Sequence, residues 1–234
     1  ITVGTPGAGA TIHQSYSSSV AASPAAPAGF NYQYALANNT TLPPGLMLNA
    51  TTGEITGAPT ALGQVNFTVK AELFSGVTTT GCAATQNFSI NVTCAANPVV
   101  TTNADSGAGS LRQAILDACP GSTITFANGI NLITLTSGEL VINKNLTIQG
   151  PGASVLTISG NLANRVCQIT SGVTATLEGL TIANGHVTGY GGGIYSDGTL
   201  TLISSTVSGN TASGVLDNLG GGIYNASGRT LKLI

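Results

Sequence analysis

The residues able to do acid–base, metal or nucleophilic chemistry in this 234-residue sequence are few enough to name in full. The carboxylates are Glu54, Glu72, Asp105, Asp117, Glu139, Glu178, Asp197 and Asp217, and the imidazoles are His13 and His186. Glycoside hydrolysis needs two carboxylates flanking one bond. Metal-assisted proton abstraction needs several oxygen ligands around a cation with a base beside them. Glu54, Glu72 and Asp105 precede the repeating half of the chain, and Asp117 falls on a short helix at its start. The densest remaining group is Glu178, His186, Asp197 and Asp217. A 25-residue register places Glu178 over Ile203, not over another acid. Asp197 and Asp217 sit in the turns Ser196-Asp197-Gly198 and Leu216-Asp217-Asn218, where Asp serves the backbone. His186 lies in a Gly-rich excursion between Ile182 and Gly191 and reads as a solvated loop histidine. The sequence therefore assigns no catalytic residue, no metal ligand and no cofactor.

The cysteines Cys82, Cys94, Cys119 and Cys167 have no CxxC spacing of a metal site. Pairing as Cys82–Cys94 and Cys119–Cys167 would suit an oxidising compartment, with free buried thiols the alternative for the second pair. Gly191-Gly192-Gly193 after Gly189-Tyr190 has the look of a phosphate loop but lacks GK[ST] and a following helix. The several N-x-[ST] tripeptides, at Asn39, Asn49, Asn66, Asn87, Asn91, Asn145 and Asn225, read as chance in a chain this rich in Asn and Thr.

Six basic and eight acidic residues carry the formal charge, far below the usual share of a globular protein. Mean hydropathy is nevertheless +0.32, which argues for packed strands rather than disorder. So few scattered cations cannot release the counterions that hold a protein to nucleic acid. No apolar run approaches the length of a membrane span.

The elements that must carry these residues fall into two textures. Residues 1–96 hold most of the prolines and several period-two stretches: Phe30 to Tyr34, Val65 to Val69 and Phe88 to Val92. That alternation predicts an antiparallel β-sandwich. Leu42-Pro43-Pro44-Gly45-Leu46 and Gly53-Glu54-Ile55-Thr56-Gly57 are expected as tight turns. Residues 97–234 begin with a helix expected over about 110–119. Ser110 and Gln113 would form a reciprocal capping box, with Leu111, Ala114, Ile115 and Ala118 on the buried face. Short apolar strands follow. Gly191-Gly192-Gly193-Ile194-Tyr195 recurs as Gly220-Gly221-Gly222-Ile223-Tyr224, an offset of 220 − 191 = 29. Thr176-Leu177 and Thr201-Leu202 are offset by 25, as are Ile182 and Val207. A period of 25 to 29 with strands, turns and no second helix predicts a parallel β-helix, in which the corner glycines supply positive φ. Asn184 and Asn210 follow comparable strands and are expected as turn residues, with an internal amide ladder the alternative.

The Leu42–Thr60 run LPPGLMLNATTGEITGAPT, followed by GQVNFTVKA and ATQNFSINVTC, resembles the putative-Ig family of bacterial surface proteins. The resemblance implies a sandwich of about seven strands with no enzymatic role. Residues 99–234 resemble right-handed β-helix repeat proteins that open on SLRxAI, here Ser110 to Ile115, and the repeats of polymorphic outer-membrane proteins and autotransporter passengers. That family commonly lacks Cys where Cys119 and Cys167 stand, which prompts the expected bridge from helix to early coil. The expected fold class is thus all-β: an Ig-like sandwich, then a right-handed parallel β-helix with a capping helix. The chain stops at Ile234 within a repeat strand and is expected to be a fragment of a longer stalk.

The expected role is a secreted or cell-surface structural and adhesive protein, contacting glycans or another cell surface, with self-association through β edges as a further option. β-Helix folds also host polysaccharide lyases and hydrolases, and the sparse acids demote that alternative. A subunit of an extracellular filament is the third reading.

Overall fold

A computed structural model describes residues 1–214 and 220–234, so Asp217 of the acid group lies outside the described residues. The chain divides into two compact units, Ile1–Cys94 and Ala95–Ile234. The boundary precedes the Asn97-Pro98 seam because Ala95 already bridges to Ala118 in the second unit.

The first unit consists, among the described residues, of β1 (Thr2–Val3), β2 (Gly9–Thr11), β3 (Tyr16–Ser19), β4 (Ala22–Ser23), β5 (Phe30–Ala37), β6 (Leu46–Leu48), β7 (Glu54–Gly57), β8 (Gly63–Ser75) and β9 (Thr78–Thr93). A four-stranded sheet runs β2-β9-β8-β5, a three-stranded sheet runs β3-β7-β6, and β1 pairs with β4. All these pairs are antiparallel except β2 with β9, which departs from the expected all-antiparallel pattern. Alternation on β8 turns Phe67, Val69 and Ala71 inward, and Phe67 faces Phe88 across the β8–β9 ladder with ring centroids 5.8 Å apart. The Pro44-Gly45 turn forms as expected, with the Leu46 amide donating to Pro43 O at 3.0 Å. Glu54–Gly57 does not form a turn. It is the central strand of its sheet, because Ile55 is completely buried between Ser18 and Leu48. The segment carries turn residues at both ends and a strand's alternation between them, and burial of Ile55 decides the outcome.

The second unit opens with β10 (Val99–Val100) and the helix α1 (Leu111–Asp117). The expected face is the buried one: Leu111, Ala114, Ile115 and Ala118 join the unit's core. Half of the capping box forms. Ser110 Oγ accepts from the Gln113 amide at 3.2 Å, but the Gln113 side chain donates to Asp117 Oδ1 at 2.7 Å instead of returning to Ser110. The Ser110 amide is satisfied by Gly107 O, so no donor is left for the Gln to serve. At the other helix end Lys144 Nζ donates to Leu116 O at 2.8 Å, giving orphan carbonyls a cationic partner.

The coils follow. The first holds β11 (Thr123–Phe126), β12 (Leu132–Thr134) and β13 (Leu140–Ile142), and the second holds β14 (Leu146–Gln149), β15 (Thr157–Ser159) and β16 (Cys167–Ile169). The third holds β17 (Thr174–Glu178), β18 (Thr181–Ala183), β19 (His186–Thr188) and β20 (Ile194–Ser196). The fourth holds β21 (Thr199–Ile203), β22 (Thr206–Ser208), β23 (Thr211–Ser213) and β24 (Ile223–Asn225), and β25 (Thr230–Leu233) begins another. Equivalent strands stack in parallel as β10-β11-β14-β17-β21-β25, β12-β15-β18-β22, β13-β16-β20-β24 and β19-β23. This is the expected β-solenoid, and both sequence offsets are registers within it. Thr176 pairs with Thr201 and Ile182 with Val207 at 25, while Tyr195 pairs with Tyr224 at 29.

Period-two alternation sorts each strand into an inner and an outer face. Ile148, Leu177 and Leu202 stack inward in successive coils, each 5% exposed or less. Burying a side chain of this size contributes about 1.5–3 kcal/mol. Outward, Thr123, Thr147, Thr176 and Thr201 form one column and Thr174, Thr199 and Thr230 a second. The Gly triplets do two jobs. Gly191 and Gly220 take φ of 67° and 59°, as the corners were expected to require. Gly192 has an ordinary φ but packs so closely that a Cβ there would collide with the Thr211 carbonyl oxygen of the next coil.

Candidate functional site

Of the four-residue group singled out in the sequence, the three described members, Glu178, His186 and Asp197, are not brought together. Glu178 stands on the outer face of β17, between Gln149 below and Ile203 above, and its carboxylate is met by Gln149 Nε2 at 3.4 Å. Asp197 follows β20 and accepts from Arg229 Nε at 2.8 Å, while Arg229 Nη2 reaches Ser171 Oγ at 3.0 Å. That arginine laces coils together. Asp217 is outside the described residues. His186 is not in a loop but on β19, a strand hidden within the Gly-rich excursion and paired with Thr211–Ser213.

His186 instead shares a cleft of about 470 Å³ with Glu139, Arg165 and Thr188. The elements place them there by coil stacking: Glu139 just precedes β13, Arg165 precedes β16, and β19 passes alongside. Arg165 Nη1 makes an ion pair with Glu139 Oε2. Its Nε donates to Gly191 O at 2.9 Å and its Nη2 to Tyr190 O at 3.0 Å. The guanidinium also lies over the Tyr195 ring, 5.3 Å from the centroid. Tyr195 in turn stacks on Tyr224 at 5.6 Å and 14°, and Tyr190 meets Tyr224 at 4.4 Å. The result is a column of one cation and three rings outside the solenoid, drawn from the second, third and fourth coils.

A second polar knot lies below it. Arg112 on α1 donates to Asp105 Oδ1 at 2.7 Å, to Gly138 O at 2.6 Å and to Glu139 O at 2.7 Å. The other Asp105 oxygen accepts from Thr136 Oγ1 at 3.1 Å, from the Ser137 amide at 2.8 Å and from the Ser137 hydroxyl. Burial alone would raise the Asp105 carboxyl, but the hydrogen bonds from Ser137 and Arg112 outweigh it and hold the group far below the usual carboxylate range. The sequence reading passed over Asp105, Arg112, Glu139 and Arg165. Apart from Asp105 and Arg112, seven residues from each other, their partners are backbone carbonyls and residues a coil away, at separations of 25 to 32 that match no fixed motif. Among the described residues no three His, Cys, Asp or Glu gather as a metal site would require.

The asparagines follow their strands in turns, as expected, Asn184 exposed with a φ of 53°, and they form no internal amide ladder. Asn210 Oδ1 accepts from the Gly185 amide at 2.7 Å and its Nδ2 donates to Ile182 O at 3.0 Å, while Asn184 Nδ2 reaches Ser159 Oγ at 3.4 Å. Each ties its own turn to the coil before it.

The expected cysteine pairs are both corrected. Cys94 and Cys119 are the disulfide-bonded cysteines, and Cys82 and Cys167 are free. Cys82 lies within the extended β9 and Cys94 just beyond its end, so twelve residues at roughly 3.4 Å each hold them about 40 Å apart. Cys167 is an inward residue of β16, stacked between Leu140 and Ile194 in the solenoid core. Burial pushes its thiol up to about 12, with the negative Glu139 adding to the rise and Arg165 opposing it. It behaves as a small apolar side chain.

A family model described as "Putative Ig domain" matches residues 1–93, so the first unit is an Ig-like domain. No curated protein matches the chain. Among solved structures, a putative alpha-galactosidase from Bacteroides fragilis aligns at 11% identity and a TM-score of 0.27, over 75% of this chain and 51% of that one. A sialyltransferase from Photobacterium damsela aligns at 10% identity and a TM-score of 0.26, over 75% of this chain and 43% of that one. The chain thus spans about half the length, or less, of the solved chains it matches.

Proposed function

We propose that this chain is a non-catalytic module of a secreted or cell-surface protein, an Ig-like spacer joined to a solenoid that presents its outer face to a glycan or a neighbouring surface. The observation that carries the reading is what the acids around the solenoid do. Glu139 is committed to Arg165, Asp197 to Arg229 and Asp105 to Arg112, so each is an ion-pair partner holding segments together. Glycoside hydrolysis would need two carboxylates facing one bond, and each of these is held by its own arginine instead. Two outer columns beside them are threonine, and the one further outer acid among the described residues, Glu178, is met by the Gln149 amide. Such faces suit display and weak repeated contact. A disulfide supports an oxidising, extracellular setting.

The test is incubation of the chain with polygalacturonate, alginate, xylan and chitin, with and without calcium. Absorbance of unsaturated products and new reducing ends are then followed. The reading expects neither. Enzyme-dependent release of either product overturns it.

A further inference from the structure

We propose that the cleft framed by Glu139, Arg165, His186 and Thr188 is a binding site for a neutral saccharide. This inference rests on the reading of the chain as a non-catalytic surface module and names the ligand class of one place on it. The cleft, of about 470 Å³, is wide open to solvent, so a ligand there is held along one face.

The charge arrangement selects the class. Every nitrogen of the Arg165 guanidinium is committed, Nη1 to Glu139 and the other two to the carbonyls of Tyr190 and Gly191. A carboxylate or phosphate ligand therefore finds no uncommitted cation there and meets the Glu139 carboxylate. A cation is no better served, because Arg165 already balances Glu139 and no metal-ligand cluster exists among the described residues. What the cleft offers is hydrogen bonding without net charge. Glu139 keeps Oε1 as an acceptor, the Thr188 hydroxyl donates and accepts, and the His186 ring brings two nitrogens able to hydrogen-bond. Adjacent hydroxyls of a pyranose ring present the same alternation of donors and acceptors. Ala163 and Val187, which also line the cleft, supply apolar contact for the C–H face of such a ring.

The sequence contains two histidines, which makes the test direct. The chain is produced with isotope-labelled histidine, and the imidazole signals are followed by NMR during titration with lactose, cellobiose and maltose. Sialyllactose and digalacturonate serve as acidic comparisons. His13 belongs to the other unit and is the internal reference. The expected result is a saturable shift of the His186 ring for at least one neutral disaccharide, with an affinity on the order of millimolar and His13 unmoved. The Thr188→Val variant should bind about tenfold more weakly, since one hydrogen bond is lost. The acidic sugars should bind less well than the neutral one. The proposal is overturned if His186 does not move for any neutral sugar, if Thr188→Val binds unchanged, or if an acidic sugar binds more tightly. New anomeric signals from cleaved sugar in the same spectra would overturn the non-catalytic reading instead, and the His186 shift would still decide the cleft.

Discussion

The two units build their cores from different side chains, and the difference shows where each keeps its chemistry. The sandwich buries rings: Tyr34, Phe67 and Phe88 are all less than 9% exposed. Sheets packed face to face stand roughly 10 Å apart, room enough for aromatic side chains to interdigitate. In the solenoid the buried apolar residues are Ile, Leu, Val and Ala with one Cys, only Phe126 among the rings packs partly buried against them, and Tyr190, Tyr195 and Tyr224 lie outside. Coils follow one another at about 4.8 Å, so branched aliphatic side chains stack neatly inside while rings stack on the outer face. The sandwich thus turns Tyr34, Phe67 and Phe88 inward, while Phe30, Met47 and Leu62 stay exposed. The solenoid turns its tyrosines outward, where Arg165 and these rings tie coil to coil and Arg165 also lines a cleft.

Truncations on the two sides of this division should differ most. Phe67→Ala removes a buried ring from the sandwich and should cost about 3–5 kcal/mol in urea unfolding. If it costs no more than a surface change, the sandwich is not held by its aromatic core. Asp105→Asn comes next, at about 3 kcal/mol, because it removes the negative partner of a mostly buried Arg112 and leaves it only neutral acceptors. The Asp105 carboxyl is held low in the folded chain, so its contribution is complete above its unfolded value of about 3.9. That contribution is lost as pH falls below that value toward the folded one. An acid titration of stability should therefore be flatter for Asp105→Asn than for the parent chain, and equal slopes would remove this knot from the account. Tyr195→Ala should have the smallest effect, under about 1 kcal/mol, since an outer stacked ring loses only pair contacts. A loss as large as that of Phe67→Ala would erase the distinction between inside and outside.

Much of the solenoid was legible because a coil is a local repeat. The offsets read from Thr176, Ile182 and Gly191 are registers of the structure, and Glu178 does stand over Ile203. The buried face of α1 was legible for the same reason, as a 3.6-residue period. What stayed hidden depends on distance in space. Glu54–Gly57 reads equally well as turn or strand until Ile55 finds its core. The disulfide joins cysteines that no spacing rule singles out. Glu139 and Arg165 meet because coil lengths vary, so their 26-residue separation belongs to neither repeat offset. His186 was noticed, but its strand of Thr, Val and His looked like a loop beside so many glycines.

The central claim is that the charged groups on the solenoid's outer face are structural ties. A double-mutant cycle of Glu139→Gln and Arg165→Met, read by urea unfolding, tests it most directly. The account predicts that the two changes are non-additive by about 1 kcal/mol or more, as for a partly buried ion pair whose members depend on each other. Strict additivity would contradict it, because Glu139 would then be a carboxylate the fold does not need.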